Sequence, residues 1–327
     1  MNILQKIKSL PIINQLIIDI KHLKIWLTHK NGNNITGRVV GVNIFDNNTP
    51  WLSYFINCHF PKTEGKPDIR MISVSGPRFL IKTKKQKKTV FYTAENLHNE
   101  NHYKKYSDGC IGKVDLSIGF DYLNLPNYCR LPYWITTHFP YNGTENEILN
   151  KINELNTAHF AKTKDCAIIA RACNNGLRTE IYSELSEILK IEAPSSLFHN
   201  TEELKTKYND NKAEYLKQFR FNICPENSNY PGYVTEKLFD AFASDCIPIY
   251  NGSDNQPEPN ILNPKAILFW NFKGDNTELI KKIKLLNTNK DAYDEFISQD
   301  RFLPTAGEYI CEMYTELMKK LSEVCNY

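Results

Sequence analysis

Long apolar runs are missing from this 327-residue chain. No stretch reaches the ~18 consecutive apolar residues that a bilayer crossing needs. An unbroken signal-peptide core is missing too, because Pro11 and Asp19 interrupt the apolar N-terminus. No Cys-x-x-Cys pair occurs and the nine cysteines are odd in number, which argues against a disulfide framework and for scattered thiols in a reducing cytosol. Neither G-x-G-x-x-G nor G-x-x-x-x-G-K-[ST] is present, so dinucleotide enzymes and P-loop NTPases lack their fingerprints. No Cys/His set has zinc spacing. A formal net charge of +3 is too small to argue for nucleic acid.

What is present supports a globular protein of two domains. Apolar residues make up 41% and aromatics 12%, enough for real cores, and the length exceeds that of one usual domain. Short apolar runs alternate with helical stretches, which points to an α/β fold. Strands are expected at Arg38–Asn43, Met71–Ser75, Thr89–Thr93, Leu116–Phe120, Ala167–Ala172, Phe219–Cys224, Ile247–Tyr250 and Ala266–Trp270. Helices are expected at Asn146–Leu155, Arg178–Leu189, Asp210–Lys217, Thr235–Ser244, Thr277–Asn287, 291–299 and 306–324. The loop chemistry of His138–Thr144 places a domain boundary near residue 150, giving domains 1–150 and 151–327, with the last helix able to pack back on the first. A cleft between two such halves is the usual place for a ligand.

Two basic segments stand out. Residues 1–30 carry Lys6, Lys8, Lys21, Lys24 and Lys30 against Asp19, a local charge of +4, among isoleucines and leucines. This reads either as an interfacial segment on anionic lipid or as a first helix with a solvated basic face. Residues 82–88 hold five lysines in seven, a solvated loop or part of a membrane-facing side.

The chemistry concentrates in cations at the wrong ends of helices. Thr235 reads as an N-cap, with Glu236 well placed in the first turn and Lys237 badly placed there. A cation facing the positive end of a helix costs ~0.3–1 kcal/mol at an exposed site, a sign that a bound phosphate would reverse. Arg178 repeats the pattern after the Ala167–Ala172 strand and the Cys173–Gly176 loop. Loops that follow strands lie at the ligand edge of open α/β sheets, so both cations are candidates for one diphosphate, arginine bidentately and lysine as a point charge. An exposed lysine packed on its own helix is the alternative for Lys237. No Asp-x-Asp occurs, which fits protein cations in place of a metal clamp: no cofactor and no metal ligand is expected, though a divalent ion that stimulates without being required fits too. In the first half, Glu95 ends an apolar strand and is either a general base or an exposed strand-end acid.

The segment Phe219–Gly252 resembles the donor-binding motif of the family 10 glycosyltransferases, the alpha-1,3/1,4-fucosyltransferases, especially the bacterial members. The likeness is carried by Phe221, Glu226-Asn227-Ser228, Gly232-Tyr233-Val234-Thr235-Glu236-Lys237, Ala241, Pro248-Ile249-Tyr250 and Gly252. Phe91–Asn96 with Ile118–Asp121, and Leu177-Arg178 with Tyr182, extend it over residues 85–275. The resemblance implies GT-B architecture, two Rossmann-like domains facing across a cleft, with domain 1–150 binding the acceptor and domain 151–327 binding GDP-fucose, and inverting transfer of L-fucose from GDP-fucose to O3 of GlcNAc or Glc in a galactosyl-GlcNAc-type or lipopolysaccharide acceptor. By resemblance Glu95 is the base, Arg178 and Lys237 hold the diphosphate, Glu236 takes the ribose hydroxyls, and Asn227 and Tyr233 line the donor pocket, with Ser228 and Thr235 as secondary contacts. Another nucleotide sugar on the same fold, or a non-catalytic glycan-binding homologue, are the rival readings. Heptad repeats before a basic tail, as in some bacterial members, are not seen, so the resemblance does not imply dimerisation. The sequon Asn251-Gly252-Ser253 falls inside the motif, where a glycan would obstruct the pocket. It therefore favours a cytoplasmic enzyme, with peripheral contact to the inner membrane through the basic N-terminus and no nucleic-acid partner.

Overall fold

The computed structural model describes residue 20 and residues 34–41, 49–62, 64–74, 81, 87–98 and 106–326. The basic N-terminal segment, residue 20 apart, and residues 82–86 of the lysine run lie outside the described residues. The chain divides into two compact units, residues 1–131 with 314–327 and residues 132–313.

The first unit holds a six-stranded sheet in chain order: β1 (Asn34–Thr36), β2 (Val39–Gly41), β3 (Ile69–Ile72), β4 (Lys88–Tyr92), β5 (Leu116–Gly119) and β6 (Tyr128–Arg130). Only β1 and β2 pair antiparallel; every later pair is parallel. Four residues of β4 and all of β5 are buried, as strands covered on both faces must be. Helix α1 (Thr49–His59) buries Leu52, Phe55 and Ile56 at helical spacing. Arg38, 6% exposed, ties this unit together. Its guanidinium donates to the Asp68 carboxylate at 3.1 and 2.8 Å, to the Phe60 carbonyl at 3.1 Å and to the Cys325 carbonyl at 3.2 Å. Burial works against the Asp68 carboxylate, but Arg38 and Lys62 hold its pKa below the usual range.

The second unit holds a fully parallel five-stranded sheet, ordered β11 (Leu268–Phe269), β10 (Ile247–Tyr250), β9 (Phe219–Ile223), β7 (Lys164–Ile168), β8 (Ile191–Glu192). Its helices are α2 (Tyr133–His138), α3 (Glu145–Thr157), α4 (Leu177–Leu185), α5 (Glu203–Thr206), α6 (Lys212–Leu216), α7 (Glu236–Ala243), α8 (Thr277–Thr288) and α9 (Lys290–Ile297), followed by α10 (Ala306–Cys325), whose residues from Tyr314 belong to the first unit. The strand expected at Ala167–Ala172 lies earlier, because its register pairs Lys164 with Phe219 and Ile168 with Ile223. Lys164 can enter the strand because its ammonium meets Glu192 at 2.8 Å and also Glu203.

The division between the units falls at Leu131–Pro132, earlier than the loop at 138–144. The reason is α2. Trp134 stacks on Phe239 with centroids 4.5 Å apart and donates to Glu258 at 2.8 Å, while His138 meets Asp240 at 2.9 Å. Among the described residues no helix is long and apolar enough to cross a membrane.

Arg301 is the second unit's buried knot, 5% exposed. It donates to the Leu155 carbonyl, to those of Phe242 and Ala158 at 3.0 and 3.1 Å, and to the Asp245 carboxylate at 2.5 Å. Removing one partner of such a pair strands a buried charge. Arg301→Ala is expected to lower stability by about 3–5 kcal/mol, read from the urea midpoint by circular dichroism; a midpoint within error of wild type would contradict this role.

Candidate functional site

The chain makes one reversal in the second sheet. From β7 it moves outward to β8, then returns to the other side of β7 as β9. Connections that leave two neighbouring parallel strands in opposite directions open a crevice at their carboxyl ends. The two connections here are residues 169–176, which follow β7 and lead into α4, and residues 224–235, which follow β9 and lead into α7. They and the first turns of α4 and α7 carry Arg178, Asn227, Tyr233, Glu236 and Lys237, so the topology brings these five expected residues to one edge of one sheet.

The residue that organises them is one the sequence reading left without a role. Glu226, 2% exposed, follows β9 by three positions. Its Oε1 accepts from the Thr235 backbone N–H at 2.8 Å and from the Tyr250 hydroxyl at 3.3 Å. Its Oε2 accepts from the Thr235 hydroxyl at 2.7 Å and from Lys237 Nζ at 3.0 Å. Gly252 makes room for this: a Cβ there would stand 2.7 Å from both Glu226 Cγ and the Tyr250 hydroxyl oxygen. The sequence shows only an acid shortly after a buried strand and a lysine in a later helix turn; the fold pairs them.

Thr235 holds the N-cap position of α7, but its side chain makes no capping bond. Its hydroxyl instead donates to Glu226 and accepts from Lys237 at 2.7 Å. Lys237 therefore meets its helix-end penalty with protein anions, Glu226 and, at 3.6 Å, Glu236. Burial alone would lower the Lys237 pKa; the two carboxylates outweigh it and raise it above the ordinary lysine value. Its side chain keeps 21% exposure, so the ammonium is anchored yet reachable.

Arg178 approaches the same turn from α4. It donates to the Ala172 carbonyl at 2.7 Å, the Pro225 carbonyl at 3.3 Å and Asn227 Oδ1 at 2.8 Å. Burial pulls its pKa down further than nearby Cys173, Glu226 and Tyr233 restore it. Pro225-Glu226-Asn227 is thus gripped by Arg178 through its first and third residues and by Lys237 through its second. Asn227 is exposed, Glu236 is half-buried, and Tyr233 is buried at 3% exposure.

The following loop is tied to a strained one. Ser253, Asp254 and Asn255 take φ of 51°, 51° and 56°, a left-handed run that non-glycine residues hold only where surroundings impose it. Here Gly232 N–H donates to Ser253 Oγ at 2.9 Å, and Asn229 exchanges bonds with Asp254 at 2.6 and 2.7 Å. The sequon is closed by the same contacts: Asn251 Nδ2 donates to the Trp270 carbonyl at 2.9 Å and Ser253 is 4% exposed.

Glu95 belongs to the first unit, in the loop after β4 as expected. It is half-buried, and its N–H donates to Thr93 Oγ1 at 3.0 Å. Among the described residues no three His, Cys, Asp or Glu side chains gather as metal ligands.

The Glu226–Lys237 pair carries a pH signature. The folded pKa of Lys237 lies above its ordinary 10.5. The pair's stabilisation is therefore complete below pH 10.5 and is lost as pH rises through the folded value. Glu226→Gln is expected to destabilise the fold by about 2–3 kcal/mol, a gap that urea titrations find constant from about pH 7 to 9 and narrowing above the lysine value. A gap that already closes near neutral pH would contradict it.

Comparison with known proteins bears on the family and the fold. Residues 159–327 match the C-terminal domain of glycosyltransferase family 10 (fucosyltransferase), and residues 41–137 match the alpha-(1,3)-fucosyltransferase FucT N-terminal domain. The Helicobacter pylori alpha-(1,3)-fucosyltransferase FucT is 33% identical over 242 residues, 65% of this chain and 47% of that protein. An Arabidopsis thaliana alpha-(1,4)-fucosyltransferase is 32% identical over 98 residues, 30% of this chain and 23% of that protein. The chain thus spans less than half the length of either relative. A crystal structure of an alpha1,3-fucosyltransferase shares the fold at TM-score 0.51 and 25% identity, over 79% of this chain and 80% of that one. With two α/β units built on largely parallel sheets, the architecture is of the GT-B kind, and the chain belongs to glycosyltransferase family 10, the fucosyltransferases.

Proposed function

We propose that this chain transfers L-fucose from GDP-fucose, with inversion, to a sugar hydroxyl, O3 of GlcNAc or Glc in an oligosaccharide or lipopolysaccharide. The observation that carries the proposal is the pair of cations, Arg178 and Lys237, held on the Pro225–Asn227 turn where the second sheet reverses direction. Family membership supports it, and so does the name of the Helicobacter relative, which gives the alpha-1,3 linkage precedence. Nine free thiols, six of them buried, and the closed sequon fit a reducing cytoplasm. Peripheral contact with the inner membrane through the basic N-terminal segment belongs to the same proposal.

The chemistry follows from charge. As the glycosidic bond to GDP breaks, negative charge grows on the diphosphate and positive charge on the fucose ring. Arg178 and Lys237, already fixed by Pro225, Glu226 and Asn227, need little reorganisation to stabilise the leaving group. No metal ion is needed for that neutralisation. Glu236 takes the ribose hydroxyls, and Asn227 and Tyr233 line the donor pocket. Glu95 removes the proton of the attacking acceptor hydroxyl.

GDP and GDP-fucose are expected to raise the thermal midpoint saturably, by the equivalent of about 2.7 kcal/mol at a hundredfold excess over Kd, and UDP- and CMP-sugars are not. Lys237→Ala should weaken GDP by about 10- to 100-fold. Glu95→Ala should lower kcat by about 100-fold or more with GDP affinity intact. Equal loss of GDP affinity in both variants, or equal stabilisation by the other nucleotides, would sink these roles.

A further inference from the structure

The first turn of α4 carries Arg178, and little in its own sequence fixes it. Residues 174–176, which lead into it, are exposed, and its N-cap, Gly176, has no side chain to offer. Leu177 and Ile181 anchor the buried face, but apolar contact is non-directional. The aim of Arg178 therefore depends on polar ties to the rest of the unit.

One such tie has no part in the donor chemistry described so far. Glu180, half-buried and two residues beyond Arg178, reaches the loop after β11. Its Oε1 accepts from the Trp270 indole N–H at 2.9 Å and from the Lys273 backbone N–H at 3.0 Å, and its Oε2 shares the latter at 3.3 Å. Lys273 holds a left-handed φ of 59°, a conformation that lysine keeps only where its surroundings impose it. An acid in a first helical turn is favourable on any helix. That general preference does not call for two donors from a loop remote in sequence.

The contacts of Trp270 show where the tie leads. Trp270 has no exposed surface; its backbone N–H donates to the Tyr250 carbonyl at 2.8 Å, and its carbonyl accepts from Asn251 and Asn255 at 2.9 and 3.1 Å. The Tyr250 hydroxyl donates to Glu226, and Arg178 grips the residues on either side of Glu226. The bonds close a ring that runs from α4 through the Pro225–Asn227 turn, Tyr250 and Trp270 back to α4. Residues two apart on an α-helix project about 200° from one another, so Arg178 and Glu180 hold one turn from opposite sides. The turn cannot roll about its axis without breaking one of these bonds. Lys237 is attached to the same ring at Glu226.

We infer that Glu180 is a positioning residue for the diphosphate site: through Trp270 and Lys273 it sets the aim of Arg178 relative to Lys237. The inference rests on the reading of those two cations as the donor site, proposed above. It adds that their spacing is governed from outside the turn that they hold.

The test is GDP binding to the full chain, followed by calorimetry, with no need for transfer. Glu180→Ala is expected to weaken GDP about tenfold. Glu180→Gln keeps an oxygen that can accept both Oε1 bonds and should stay within about twofold of wild type. In an Arg178→Ala background, Glu180→Ala should cost nothing further, because the side chain that it aims is gone. A merely structural Glu180 would lower the thermal midpoint and leave GDP affinity intact, or weaken GDP equally with and without Arg178; either result overturns the positioning role. So does a Gln variant as weak as the Ala one, since charge rather than bonding would then decide. If wild type itself fails to bind GDP, the donor-site reading falls and takes this inference with it. If wild type binds GDP and Glu180→Ala binds it as well, this inference alone falls.

Discussion

A carboxylate cannot stay charged in a protein interior unless donors replace the water it has lost. Glu226 has four: a backbone N–H, two hydroxyls and an ammonium. They come from three residues, Thr235 (two of the four), Lys237 and Tyr250, so satisfying one side chain fixes the start of α7, the end of β10 and the turn after β9 together. Gly252 is glycine because this packing leaves no room for a Cβ. Lys237 is tolerated in a first helical turn because Glu226 reverses the local sign.

That changes what the lysine means. From sequence, a cation at the positive end of a helix asks for an outside anion. The fold supplies an inside one, and a purely structural ion pair would look much the same. What separates the two is Arg178, which holds the same turn from α4 but donates to the Ala172 and Pro225 carbonyls and to Asn227, none of them a carboxylate, with its pKa pulled down by burial. One cation is balanced and the other is not, which leaves net attraction for a polyanion at the edge where the sheet reverses.

Much of this was legible beforehand. Strands that are long and buried on both faces, such as β9 and β10, were read to within a residue or two, because their apolar runs are bounded by turn chemistry. β6 and β8, three and two residues long, are too short to show any alternation and went unread. The start of β7 was misplaced because Lys164 and Asp165 look like loop, and only the partners Glu192 and Glu203 explain a lysine in a strand. The five residues expected on the donor side lie along one sheet edge, whereas Glu226 was named in the motif without a role, since a buried acid in one loop and its lysine in a later helix are linked only by the fold.

The central claim is that Glu226 holds Lys237 and the Pro225–Asn227 turn ready for a diphosphate shared with Arg178. A crystal structure of the chain with GDP addresses it most directly. Diphosphate oxygens should lie about 3 Å from both Lys237 Nζ and the Arg178 guanidinium, with Glu226 still bound to Thr235. A diphosphate seated away from these two cations, with Lys237 bonded to Glu226 and Thr235 alone, would show that the pair is structural and that the donor site lies elsewhere.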